Sequence, residues 1–176
     1  MAKEVIRGLL EDSGYKAYPF GYESLLSQIR YDIQKRNPPQ NSAVERMRSA
    51  PDLIVYDERT GAPLFTEVKF RNARAPSYVK LKSQPLHRYQ EYWGDSVLIV
   101  VVPCGKMFYA QFVKKLSVDS CEDSSFDLTR EFEEVDTIFA NIDSQALERY
   151  RDLLLRIKEI NGNESRITYA TERASG

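Results

Sequence analysis

Asp52 and Glu67 stand with fourteen residues between them, and Lys69 follows two positions later. Two carboxylates and an ammonium gathered at one place could hold a hard divalent cation and activate a water beside a phosphate, because Mg²⁺ and Mn²⁺ favour carboxylate oxygens and retained waters. Whether they meet depends on the segments that carry them. Asp52-Leu-Ile-Val-Tyr-Asp57 and Pro63-Leu-Phe-Thr-Glu-Val-Lys-Phe70 are rich in strand formers, and Glu58-Arg-Thr-Gly61 between them has the composition of a turn. A hairpin symmetric about that turn pairs residue i with residue 119 − i, which sets Asp52 opposite Glu67. Directly opposed residues share a face with β-carbons about 4.5–5.5 Å apart, and the period of two puts Lys69 on that face as well. Carboxylates so placed repel each other unless a cation neutralises them. A register shifted by one residue would send Asp52 to the other face and dissolve the site.

The elements around this hairpin read as helices and strands in alternation. Val5, Ile6, Leu9 and Leu10 predict a helix over residues 2–12, stopped at Gly14. Tyr15 to Tyr22 is an extended segment that Pro19 would confine to a sheet edge. Glu23 to Gln34 has the spacing of a second helix, and residues 37–50, with Arg46 and Arg48, read as a mobile surface connection. Residues 71–83 are basic and irregular. Pro85 and Gly94 bracket a short helix with Leu86, Tyr89 and Trp93 on one face. Ser96 to Pro103 is a buried strand, paired across Cys104-Gly-Lys106 with Met107 to Val113. The acidic stretch 118–143 shows no clear pattern and reads as a wrap around the core, after which Ser144 to Ile160 is a strongly amphipathic helix ending near Gly162.

Composition narrows the functions open to this chain. Its 176 residues suit one core of ordinary size. The longest apolar run, Val97 to Val102, is far short of the roughly 20 residues of a membrane span, and the charged N-terminus lacks the apolar stretch of an export signal, so a cytoplasmic protein is expected. Two cysteines and a single histidine, His87, exclude a disulfide framework, a Cys/His zinc centre and an iron–sulfur cluster. The net charge of −1 conceals an asymmetry, with residues 1–117 carrying 18 basic against 12 acidic side chains and the remainder 7 against 14. Residues 68–90 contain no acid at all. Such a stretch is either a solvated basic face or a surface that holds a phosphate backbone.

Pro51-Asp52 and Glu67-Val68-Lys69, on a hairpin followed by helix and strand, resemble the motif of the PD-(D/E)XK nuclease superfamily. The resemblance spans residues 2 to about 103. It implies an α/β fold with a restriction endonuclease-like αβββαβ core, a mixed central sheet flanked by helices, and a C-terminal helical extension. On this reading residues 1–117 form the nuclease-like core, and residues 118–176 form an acidic extension packed on the same domain. The resemblance further implies that Asp52, Glu67 and the Val68 carbonyl bind Mg²⁺, with Mn²⁺ as substitute, and that Lys69 assists the attacking water. Glu4 on the first helix, chosen over Glu11, is a further metal-ligand candidate against the alternative of a solvated helix charge. Gln84 is a supporting candidate, although Gln84-Pro-Leu-His-Arg-Tyr89 has one residue more than the recombination-nuclease form of that motif; its plainer reading is a helix-terminal polar residue. Gln90 is a weaker candidate, and His87 reads as an exposed structural histidine.

Arg71, Arg74, Lys80 and Lys82 would grip phosphates flanking the scissile bond, contacts that position without reading sequence. The implied activity is Mg²⁺-dependent hydrolysis of DNA in repair, recombination or mobile-element processing. The C-terminal helix either joins a homodimer or packs on its own sheet. Two other readings compete: a noncatalytic nucleic-acid-binding or assembly module on the same fold, and an unrelated α/β protein that binds no metal.

Overall fold

The computed structural model describes residues 1–20, 42–71 and 78–174. The helix expected over Glu23 to Gln34 and the phosphate-binding candidate Arg74 fall outside them. Helix α1 (Ala2–Asp12) buries Val5, Ile6, Leu9 and Leu10, the stripe its sequence spacing demands. Gly14, at φ +84°, turns the chain into strand β1 (Lys16–Pro19), and Pro19 accordingly sits on the edge strand. Helix α2 (Ser42–Arg48) leads to the hairpin of β2 (Leu53–Tyr56) and β3 (Pro63–Phe70), whose turn uses Gly61 at φ +70°. Strand β4 (Tyr78–Lys82) runs into helix α3 (Ser83–Trp93), which returns the chain to β5 (Val97–Val101). Strand β6 (Phe108–Phe112) follows, then β7 (Asp123–Asp127), the short helix α4 (Leu128–Glu131), β8 (Glu133–Glu134), α5 (Val135–Ile138) and α6 (Ser144–Ala174).

Six strands form one mixed sheet in the order β1-β2-β3-β5-β6-β8, with β3 and β5 parallel and every other neighbour antiparallel. Strand β5 lies inside and is fully buried, because both faces of the sheet are covered. Val97, Ile99 and Val101 point into a core shared with α1, α5 and α6. Leu98, Val100 and Val102 point into a second core shared with α3, β4 and β7. α1, β1, β2, β3, α3 and β5, taken in chain order, are the expected αβββαβ core.

Three expectations give way. Residues 71–83 are not irregular throughout: Val79 and Leu81 are buried while Tyr78, Lys80 and Lys82 face outward, a strand alternation that the charges disguised. Its partner is β7, so the acidic stretch contributes a strand of its own, and Lys82 pairs with Glu122 and Asp123. The connection over 37–50 contains helix α2, anchored by buried Val44 and by Glu45, which holds Arg48 and Arg88 at 3.3 Å each. The last helix continues past Gly162 to Ala174, since one interior glycine costs only about 1 kcal/mol against alanine. Smaller differences fall at α3, which begins at Ser83 ahead of Pro85 and ends on a Gly94 of helical φ −56°.

Phe126 of β7 is wholly buried, edge-on to Phe132 at 5.9 Å between ring centroids. Phe126→Ala is expected to cost about 3–5 kcal/mol in urea denaturation, with one transition reporting the loss of both sheets. A separate early transition would mean that the β4–β7 layer melts independently.

Candidate active site

The hairpin register is Leu53 to Thr66, Ile54 to Phe65, Val55 to Leu64 and Tyr56 to Pro63. Every pair sums to 119, and one step beyond the end of β2 the same register brings Asp52 to Glu67. Backbone bonds lock the two together. The Asp52 N–H donates to Glu67 Oε2 at 3.2 Å, and the Val68 N–H donates to Asp52 Oδ2 at 3.0 Å. The second oxygen of each carboxylate faces a lysine: Asp52 Oδ1 lies 3.1 Å from Lys3 Nζ, and Glu67 Oε1 accepts from Lys69 Nζ. Val68 turns its side chain into the core beneath, so what it offers the site is backbone alone.

Glu67 is 3% exposed. Burial pushes its carboxyl above the ordinary range; the Lys69 ammonium opposes that rise, the Asp52 charge adds to it, and a hydrogen bond from Tyr89 opposes it. Tyr89 comes from α3, and its own hydroxyl is pushed up by burial and by the neighbouring Glu67 charge. Lys69 Nζ also lies 5.8 Å from the centroid of the Tyr89 ring. Both carboxylates therefore keep one oxygen for the backbone and turn the other toward positive charge. Hard oxygen donors with a fixed orientation suit a divalent cation of the Mg²⁺ type, with Asp52, Glu67 and the Val68 carbonyl as the candidate ligands.

An αβββαβ core with Asp52 one step before its second strand and Glu67 on its third decides the architecture. The fold is restriction endonuclease-like. No family model and no curated protein matches the chain. Among solved structures it is similar to a Holliday junction resolvase, Hjc, from the archaeal hyperthermophile Archaeoglobus fulgidus, with 12% identity and a TM-score of 0.49 over 79% of this chain and 93% of that one.

Within this restriction endonuclease-like frame, Asp52, Glu67, Val68 and Lys69 are brought together, and other sequence candidates are not. Glu4 is more than half exposed and pairs with Arg7 at 2.9 Å. Its neighbour Lys3 is the residue that α1 presents to the carboxylates. Gln84 is exposed at the start of α3, while His87 Nε2 contacts the Asp119 carbonyl at 3.1 Å. Gln90 has a structural task, donating to the carbonyls of Val113 and Leu116. Arg71 is held against the backbone, donating to the carbonyls of Lys80 and Phe70 at 3.1 and 2.8 Å. Lys82 is engaged by β7, as above, and Lys80 is exposed on β4.

Sequence reasoning missed Lys3. It placed Tyr89 on an apolar face without seeing that its hydroxyl is buried within the influence of the Glu67 charge. Beside the carboxylates Phe20, Phe65 and Trp93 pack with ring centroids 5.1–5.7 Å apart, and the Arg46 guanidinium lies 5.4 Å from the Trp93 ring. The helical stripe of α3 named Trp93, but nothing in the local pattern linked it to Phe20 and Phe65.

The raised Glu67 carboxyl has a consequence for stability. The folded chain retains this proton over a range in which the unfolded chain, titrating near 4.5, has released it. The stability so contributed is complete below that value and is lost as pH rises through the folded pKa. Glu67→Gln, neutral throughout, is expected to melt at a higher temperature than wild type at about pH 8 in EDTA. The gain should vanish toward pH 4.5. A difference independent of pH would contradict the burial account.

Proposed function

We propose that this chain is a metal-dependent nuclease that hydrolyses DNA phosphodiester bonds. The observation that supports this reading above all is the side-by-side placement of Asp52 and Glu67, with Lys69 on the same face. A fold built for stability alone would not put a nearly inaccessible glutamate next to a second carboxylate. Asp52 and Glu67, with the Val68 carbonyl, would hold Mg²⁺, and Mn²⁺ would serve in its place. When bound, that ion supplies Lewis-acid charge to the phosphate and lowers the pKa of its water. The Lys69 ammonium orients the attacking water and offsets charge on the phosphate; as the water oxygen bonds to phosphorus its proton passes to solvent, while the P–O bond to the leaving group breaks and the leaving oxygen takes a proton from solvent. The Asp52 N–H keeps the Glu67 carboxylate oriented. Lys80, exposed on the strand after the site, contacts backbone phosphates, as does Arg74 in the adjoining segment; Arg71 and Lys82 contribute as their protein contacts allow.

The setting inferred is cytoplasmic repair, recombination or mobile-element processing by a homodimer; the C-terminal helix itself packs on this chain's own sheet through Ala146, Leu147 and Leu154. Among the described residues no helix is long and apolar enough to cross a membrane. A noncatalytic nucleic-acid-binding or assembly module on the same fold is the competing reading, and hydrolysis separates the two.

Labelled single-stranded, duplex and branched DNA should be cut in Mg²⁺ or Mn²⁺ and left intact in EDTA. Glu67→Ala, Asp52→Asn and Lys69→Ala should each slow cutting by about 100-fold or more, the usual effect of removing one charge-stabilising group. Wild type that binds DNA and leaves every substrate whole would establish the binding module instead. In the same preparations Lys80→Ala should weaken binding by a similar factor on all sequences and lower the salt-dependence slope by about 1. An unchanged slope would remove Lys80 from the interface.

A further inference from the structure

The nuclease reading leaves Lys3 without a role, yet it is the only α1 side chain described as touching the carboxylate pair. Its Nζ lies 3.1 Å from Asp52 Oδ1, and the two side chains are 29% and 26% exposed. Asp52 Oδ2 is already committed to the Val68 N–H, and Glu67 Oε2 to the Asp52 N–H. The oxygens with no backbone donor, Asp52 Oδ1 and Glu67 Oε1, are the ones most open to a cation, and each faces a lysine. Two carboxylates and two ammonium groups sum to zero charge. Among the described residues no third acidic, histidine or cysteine side chain completes a cluster of metal-ligand type. A second divalent ion would sit beside the Lys3 ammonium with no additional carboxylate to offset it, and two cations at such separations repel strongly.

We propose that Lys3 stands in for a second metal: it competes for Asp52 Oδ1 and limits the site to one divalent ion. This inference rests on the nuclease reading and assigns that site its metal stoichiometry. Lys3 is thus a positioning residue, acting through Asp52. Without metal it neutralises Asp52 and relieves the repulsion from Glu67. With metal bound to the pair it would keep a fixed positive charge beside Asp52, the kind of charge that a second cation supplies in two-ion phosphodiester sites.

The test is equilibrium Mn²⁺ binding to the full chain, by calorimetry and by the electron paramagnetic resonance signal of free Mn²⁺, for wild type, Lys3→Gln, Lys3→Arg and Lys3→Glu. Wild type should bind one ion. Lys3→Gln should bind at least about fivefold more tightly, since a competing charge next to a ligand oxygen is gone. Lys3→Arg should stay close to wild type, and Lys3→Glu should take up a second ion. Thermal melting with and without Mn²⁺ reports whether each variant is folded, and the melting increment on adding Mn²⁺ should be larger for Lys3→Gln than for wild type. Equal affinities and a single ion in all four proteins would overturn the inference and leave the nuclease reading standing. Two ions in wild type would overturn it in the same way. An absence of Mn²⁺ binding in every protein, Lys3→Glu included, would remove the inference and the metal-dependent reading together.

Discussion

Two carboxylates held side by side at the open end of a hairpin are the constraint around which the rest of this molecule is arranged. The β2–β3 register forces Asp52 against Glu67, and the repulsion has to be offset by whatever the surrounding elements can bring. Backbone N–H groups of Asp52 and Val68 do part of this, each donating to one carboxylate oxygen. Lys69 does more from within the same strand. Lys3 and Tyr89 complete the set, and they arrive from helices on opposite faces of the sheet. The docking of α1 on one core and α3 on the other is therefore not only a matter of apolar area. Each helix delivers one polar side chain to the point where the sheet is electrostatically strained.

The charge asymmetry along the chain follows a related logic. The basic stretch after β3 and the acidic stretch from residue 118 meet as β4 and β7, with Lys82 between Glu122 and Asp123. Lys106 and Arg151 both reach Glu134. Much of the positive charge that looked available to a phosphate backbone is spent on holding the C-terminal part in place. Among the described residues, Lys80 on β4 and Arg46, whose guanidinium lies over the Trp93 ring, stay exposed.

The parts of the structure that could be read in advance are those set by short-range pattern. The α1 stripe, the Pro19 edge, the wholly apolar β5 and the two hairpins each carry their signal within a dozen residues. The reading faltered where charge masked periodicity, as in β4, where lysines occupy the outward positions of an ordinary alternating strand. It faltered again over residues 37–50, where a loop-like composition hid α2, a helix stabilised by contacts distant in sequence. Arg88 on α3 is one of them, reaching Glu45 at 3.3 Å. Among the site candidates Glu4 turns to Arg7, and it is the preceding residue, Lys3, that meets Asp52. On a helix one residue is a rotation of about 100°, and only the packed orientation of α1 could show that Lys3 takes that place.

By itself, then, the sequence determined the hairpin, its register and hence the meeting of Asp52, Glu67 and Lys69, because a short connection over residues 57–62 and a period of two leave little freedom between them. Tertiary structure alone decided which groups surround that pair. Lys3, Tyr89 and the Phe20–Phe65–Trp93 cluster converge from separate elements, and their convergence depends on how deeply two helices bury their apolar faces. No local pattern encodes that depth; it is settled by the packing of the whole core.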